Sequence, residues 1–339
     1  MNTIQKVNKH VQRLAGSYVP KKLQPRFFTG IEALATRALS SLNANGRSIS
    51  SNRWTGETRI RRTVTEYRFP DLLLKIILKE FLPRKGILRL SLDHSKFGSF
   101  TLAVFAISAG KGRALPIWCV VTRAGKGHVL LKPLLKGFKL LLAQLAHDQR
   151  RRIVVVMDRW FDIPDLLTWL DDNTLKFVVR LKSDTPIGVP WVEPYSTTTA
   201  GEVSLPDTPV TYHGRNWRLV RSDLKPDMKE TEPWFLLTNI PETKFSRQQI
   251  LRIYAKRFEI EEHFKDIKWI EGYEWQHIKN LSVARTVFAF VFLGWWLLLR
   301  AYSTIAVRQK INPKKKLSWF RTIWEYWQQI RYQPLGLTG

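Results

Sequence analysis

The spacing of apolar and polar positions divides the chain into a helical front, a run of strands, a mixed centre and a helical end. Apolar residues recur at helical spacing over residues 31–42 and 72–81, joined by the polar, basic stretch 43–62. From Gly86 the period changes. Residues 87–92, 100–108 and 114–122 are rich in β-branched and aromatic side chains and are punctuated by Gly or Lys-Gly turns, which predicts a three-stranded meander. A helix is expected over 130–147, a strand at 153–157, a short helix after Pro164 and a strand at 176–181. The order β-β-β-α-β-α-β is that of a mixed α/β sheet. Residues 182–240 turn to Pro, Thr, Ser and Asp, with short strand patterns such as 211–221, as in an inserted β-rich piece. Residues 246–269 then read as one long helix.

The most apolar run is 286–299, fourteen uncharged residues closed by Arg285 and Arg300. A membrane span needs about 20. Extending the run through Arg300 would place a guanidinium in hydrocarbon, at a cost of roughly 2.5 kcal/mol or more. A buried helix and no membrane partner are therefore expected. An apolar content of 44% over 339 residues suffices for a core, excludes disorder as the main state and allows two or three domains. Cys119 is the single cysteine, so neither an internal disulfide nor a zinc finger is available. The N-terminus, Met1-Asn2-Thr3-Ile4-Gln5-Lys6, has no apolar core of signal-peptide length, which predicts a cytoplasmic protein.

Charge sharpens this picture. Lys plus Arg number 55 against 28 Asp plus Glu, a net of +27, and a polyanion is the expected partner. The excess is concentrated at the ends. Residues 1–86 carry 17 basic and 5 acidic side chains, whereas 182–240 carry six and eight, and 277–339 carry ten basic residues against Glu325 alone. Four regions follow: 1–86, basic, helical and suited to DNA; a core of 87–181 with 241–276; a β-rich insertion, 182–240; and a basic helical end, 277–339. No helix-turn-helix signature is present, so a helical packing region with a solvated basic face is the plainer reading of 1–86 and stays open.

Candidate chemistry begins with two aspartates. Asp93 follows the strand 87–92 and Asp158 follows the strand 153–157, and ligand sites collect at strand ends in such sheets. An Asp there is equally an ordinary turn residue. On the long predicted helix, Tyr254, Arg257, Glu261, Lys265 and Lys268 recur at +3, +4, +4 and +3, forming one stripe. Ile253, Ile260, Phe264 and Ile267 form an apolar stripe beside it, so the helix buries one face and presents a polar seam. Glu261 can ligate a cation, while Tyr254, Arg257 and Lys268 are a hydroxyl, a bidentate fork and a point charge suited to phosphate. A solvated face with i,i+4 ion pairs is the ordinary alternative.

The spacing Tyr254, Arg257, Glu261, Lys268 with the two aspartates resembles the DDE transposases of bacterial insertion sequences that carry a Y-x2-R-x3-E-x6-K signature. That resemblance implies a ribonuclease H-like fold with a β-stranded insertion ahead of the helix bearing the glutamate. It makes Asp93, Asp158 and Glu261 a catalytic, metal-binding triad for Mg²⁺, with Mn²⁺ as a substitute and two ions as the expected number. Tyr254, Arg257, Lys265 and Lys268 would then grip DNA phosphates, and Trp234 would stack on a base flipped out near the transposon end, with Trp217 and Trp191 as weaker candidates. The implied activity is cleavage of terminal inverted repeats and joining to target DNA, by cut-and-paste movement with a hairpin intermediate in a homodimer. A catalytically silent DNA-binding repressor derived from a transposase, or a repair nuclease on the same fold, are the other readings. His94, next to Asp93 on a strand, is expected to point away from the site. Glu262 lies about 100° around the helix from Glu261, Asp162 reads as a helix start, and the lysines at 314–316 as a solvated loop or a phosphate clamp.

Overall fold

The computed structural model describes residues 3–35, 52–110, 113–123, 131–189, 197–223, 232–270, 278 and 280–309. Its helices are α1 (Thr3–Tyr18), α2 (Gln24–Ala35), α3 (Arg53–Val64), α4 (Phe69–Glu80), α5 (Leu131–Gln144), α6 (His147–Arg151), α7 (Pro164–Asp172), α8 (Arg247–Ala255), α9 (Phe258–Ile270) and α10 (Leu281–Gln309). The frame is five strands: β1 (Leu88–Phe97), β2 (Phe100–Gly110), β3 (Arg113–Arg123), β4 (Ile153–Met157) and β5 (Lys176–Leu181). They lie in the order β3-β2-β1-β4-β5, with the first three antiparallel and β4 and β5 parallel to β1. The fold is thus the mixed α/β sheet expected from the sequence, consistent with a ribonuclease H-like transposase.

Alternation within the strands decides what covers each face. Every residue of β4, Ile-Val-Val-Val-Met, is buried, as in a strand packed on both sides. Val154 and Val156, with Val178 of β5, join a cluster containing Ile250, Ile253 and Tyr254 of α8. Val155 and Met157, with Phe177 and Val179, belong to the main core together with Leu134 and Phe138 of α5 and Leu166 of α7. The site lies where the parallel strands end, between these two layers.

The insertion supplies β6 (Pro186–Gly188), β7 (Thr197–Thr199), β8 (Asp207–Tyr212), β9 (Arg215–Arg221) and β10 (Phe235–Thr238). It prolongs the sheet. β10 pairs antiparallel with β5, and the full order is β3-β2-β1-β4-β5-β10-β9-β8-β6-β7. The strand pattern at 211–221 is in fact a hairpin, because His213 (φ 46°) and Gly214 (φ 74°) form a two-residue turn of the left-handed kind that right-twisted strands accept.

The apolar run 286–299 becomes the middle of α10, a helix of 29 residues that packs on β3, α2 and α4. Among the described residues no helix is long and apolar enough to cross a membrane. The crossing of α2 and α10 is very close. A Cβ added to Gly30 would lie 2.3 Å from the Phe290 ring, and one added to Gly294 would lie 2.3 Å from a Leu34 methyl. Phe69 of α4 meets Phe290 edge-on, and the Trp296 indole N–H donates to the Pro116 carbonyl of β3 at 2.8 Å. The basic N-terminal helices therefore share one core with the sheet rather than forming a separate body. Three boundaries differ from the expectation. α1 was not anticipated, α2 starts before residue 31, and the polar stretch 43–62 holds α3, started by the Asn52 side chain accepting from the Trp54 N–H at 3.0 Å. Residues 36–51, Trp191 and the lysines at 314–316 lie outside the described residues.

Candidate active site

Register brings the aspartates together. In the parallel pair β1–β4, Leu92 sits beside Met157, so the residues that follow, Asp93 and Asp158, are level on neighbouring strands. Only β4 stops there. β1 continues along β2 to Phe97, with Asp93 opposite Val104, so Asp93 is a mid-strand residue and not a strand end as expected. Beyond Met157, β1 loses its β4 neighbour and a short turn, Arg159–Phe161, takes the place. The Asp158 carboxylate starts that turn by accepting from the Trp160 N–H at 2.9 Å.

The third carboxylate comes from a broken helix. The predicted single helix is two, α8 and α9, separated at Lys256 and Arg257, where the Arg257 N–H turns back to the Tyr254 carbonyl at 2.8 Å. Arg257 and Glu261 of the expected seam stay together despite the break. Arg257 Nη1 donates to Asp93 Oδ2 at 2.8 Å and Nη2 to Glu261 Oε1 at 2.6 Å, so one buried guanidinium bridges two carboxylates far apart in sequence. Its plane lies over the Phe258 ring, 4.8 Å from the centroid. Asp93 is 6% exposed. Burial pushes its carboxyl up to about 7, helped by repulsion from Asp158 and Glu261 and opposed by Arg257 and by the His94 N–H, which Oδ1 accepts at 2.7 Å. Arg257 is held above its ordinary range: burial works against its charge, but Tyr254, Asp93 and Glu261 outweigh it. One cation thus answers a group of three acids, and negative charge is left over.

His94 contradicts the strand-alternation expectation. Its ring stacks on Trp160 at 4.1 Å and 20°, and its ligand nitrogen and one oxygen each of Asp93 and Asp158 all lie within 4.8 Å of one another. The reason is the missing β4 neighbour: the turn after Asp158 fills that space and carries Trp160 to the imidazole. Burial pushes the His94 pKa down, so the ring is neutral near pH 7. Neither His94 nor Trp160 was chosen from the sequence. An aromatic residue two positions after Asp158 was the available signal, and it does not stand out in a chain with fourteen Trp.

Two expected DNA contacts are core residues instead. Tyr254 is fully buried, with its phenol pushed up by burial, and its ring meets Trp234 edge-on at 5.1 Å. Trp234 is 6% exposed because its backbone N–H is tied to Ser222 Oγ at 2.8 Å, which draws the indole in under α8 between Tyr254 and Phe258. No face of it is offered to a base. Trp217 is also buried, with its N–H on Asp171 at 3.2 Å. Lys265 is exposed and pairs with Glu262 at 2.5 Å. Lys268 lies in α9, with its side chain outside the described residues. Asp162 does not start α7, whose first flanking residue is Ile163; it accepts from the Tyr212 hydroxyl at 2.9 Å.

Residues 104–297, more than half of the chain, match the transposase DDE domain family. The chain belongs to the DDE transposases. The matched segment contains Asp158 and Glu261 and begins shortly after Asp93. No curated protein matches it. Transposases of this family act on DNA and generally use divalent metal ions, and the residues present fit such an ion. Asp93, His94 and Asp158 converge within 4.8 Å, the carboxylates are hard oxygen donors, and a cation there would offset both the burial that raises Asp93 and the smaller repulsion from Asp158 and Glu261.

Proposed function

We propose that this transposase cuts DNA at the ends of its own insertion sequence and joins the freed ends to target DNA, with Asp93, Asp158 and Glu261 as the catalytic carboxylates. The observation that carries this reading is that Asp93 lies at the centre of the group: it shares the buried Arg257 guanidinium with Glu261 on one side and comes within 4.8 Å of Asp158 on the other. Such an arrangement is costly for folding alone, because like charges are set beside a carboxylate that is itself buried.

Each acid is held in place before substrate arrives. The His94 N–H fixes Asp93, the Trp160 N–H fixes Asp158, and Arg257 fixes Glu261, so little reorganisation is left for the reaction. Asp93, Asp158 and Glu261 would hold Mg²⁺, or Mn²⁺ in its place, with two ions as the proposed number; bound there, the ions supply an activated attacking oxygen and stabilise the leaving oxygen of an in-line displacement. Arg257, Lys265 and Lys268 are the proposed phosphate contacts, with Tyr254 and Trp234 supporting Arg257 from beneath. The first reaction is hydrolysis at the element's terminus, which breaks a P–O3′ bond and leaves a 3′-hydroxyl. That hydroxyl then attacks a phosphodiester of the opposite strand, giving the hairpin of cut-and-paste movement, or of the target. A homodimer would bring the two ends together.

The test incubates the protein and its Asp158→Ala variant with duplexes carrying the terminal inverted repeats and Mg²⁺. Wild type should nick and transfer strands, and the variant should be slower by at least about 10²-fold. Equal cleavage by both would sink the assignment.

A further inference from the structure

Outside the three carboxylates, one polar side chain of the cluster has no role so far. The His94 Nδ1 atom is buried and, among the described residues, has no hydrogen-bond partner. Asp93 Oδ1 lies 3.9 Å from it, beyond hydrogen-bond reach. A buried ring nitrogen without a partner requires an explanation.

The ring is also fixed in direction. Trp160 lies flat against it at 4.1 Å, Phe161 meets it edge-on at 6.1 Å, and Trp160 itself is held by the bond from its N–H to Asp158. The element that presents Asp158 therefore also aims the imidazole. Asp93 divides its two oxygens accordingly: Oδ2 is taken by Arg257, whereas Oδ1 faces His94. Nδ1 is 3.9 Å from Asp93 Oδ1, and one ring nitrogen with one oxygen of each aspartate lie within 4.8 Å of one another, a span that a single cation with bonds of about 2.0–2.2 Å can close with small side-chain adjustments.

We infer that His94 Nδ1 is a nitrogen ligand to a divalent cation held between Asp93 and Asp158. The inference rests on the reading of those two aspartates as metal-holding residues. It makes the centre a mixed nitrogen and oxygen site on that side, while Glu261 and Arg257 bound the all-oxygen side. An imidazole ligand favours Mn²⁺ and later transition ions over Mg²⁺, relative to carboxylates alone.

The test loads the full-length protein with Mn²⁺ and records electron spin-echo modulation from ¹⁴N, alongside a Mn²⁺ titration. His94→Phe keeps a ring to stack on Trp160 and removes the nitrogen; His94→Ala replaces it if circular dichroism shows that His94→Phe does not fold. Wild type should show imidazole ¹⁴N coupling, the variant none, and its Mn²⁺ affinity should fall by about tenfold or more. Asp158→Ala, by abolishing the same Mn²⁺ signal, identifies the site. Mn²⁺ bound without ¹⁴N coupling, or with coupling unchanged in the variant, overturns the inference and leaves the carboxylate reading standing. No Mn²⁺ binding that depends on Asp158 overturns both.

Discussion

Two buried arginines, one in the insertion and one in the candidate site, show what separates a structural ion pair from a functional one. Arg218 on β9 forks onto both oxygens of a single carboxylate, Asp207, and gives a further N–H to the Phe245 carbonyl at 2.8 Å. One charge meets one charge, and the remaining donors are used on backbone. Arg257 divides its fork between Asp93 and Glu261, faces a third acid in Asp158 through Asp93, and among the described residues its Nε has no hydrogen-bond partner. The first pair is complete within the protein. The second is over-supplied with negative charge, which the proposed divalent cation would offset.

The contrast is open to attack by substitution. The largest expected effect is in the insertion: Arg218→Ala strands a mostly buried carboxylate, so chemical denaturation should show a loss of about 3–5 kcal/mol. Asp93→Asn, made at the more heavily charged site, should behave oppositely, with stability unchanged or raised in metal-free buffer because one of three repelling acids is gone. A large loss in Asp93→Asn would erase the distinction between the two pairs.

Next in size is the pH dependence of the metal-free protein. The Asp93 carboxyl titrates near 7 when folded and near 3.8 in an unfolded chain, so between those values the folded state holds the extra proton. Its contribution therefore makes stability fall as pH rises from about 4 to about 7, by up to about 1.4 kcal/mol per pH unit, and level off above. Asp93→Asn should flatten that slope in denaturation curves taken across the window. An unchanged slope would place the titration elsewhere. Smallest is Tyr212→Phe, which removes the hydroxyl bond from the insertion hairpin to Asp162 beside the candidate site. It should cost about 0.5–1.5 kcal/mol and leave DNA cleavage within a fewfold of wild type.

Much of the frame was legible because strand alternation and apolar runs are local signals. β1 to β5 and α5 fall where the pattern put them, and Arg257 and Glu261 are paired at i,i+4 as their spacing implied. What escaped depends on register and on which neighbour is absent. Asp93 reads as a strand end until β2 is seen to carry β1 onward, and His94 reads as pointing away until β4 is seen to stop beside it. The break between α8 and α9 has no Gly or Pro to announce it. Trp234 shows the converse problem, because an aromatic residue opening an apolar strand looks the same in sequence whether its ring is buried or offered to a base.

The near-contact of α2 with α10 at Gly30 and Gly294 has a consequence for how such a protein can be rebuilt. Cutting the chain after α2 or α4 would strip the cover from Phe290 and Trp296, so the basic front cannot be exchanged as an independent module. Redesign of that region would have to be done by changing exposed side chains on helices left in place, with α1 to α4 and α10 retained as one folding unit.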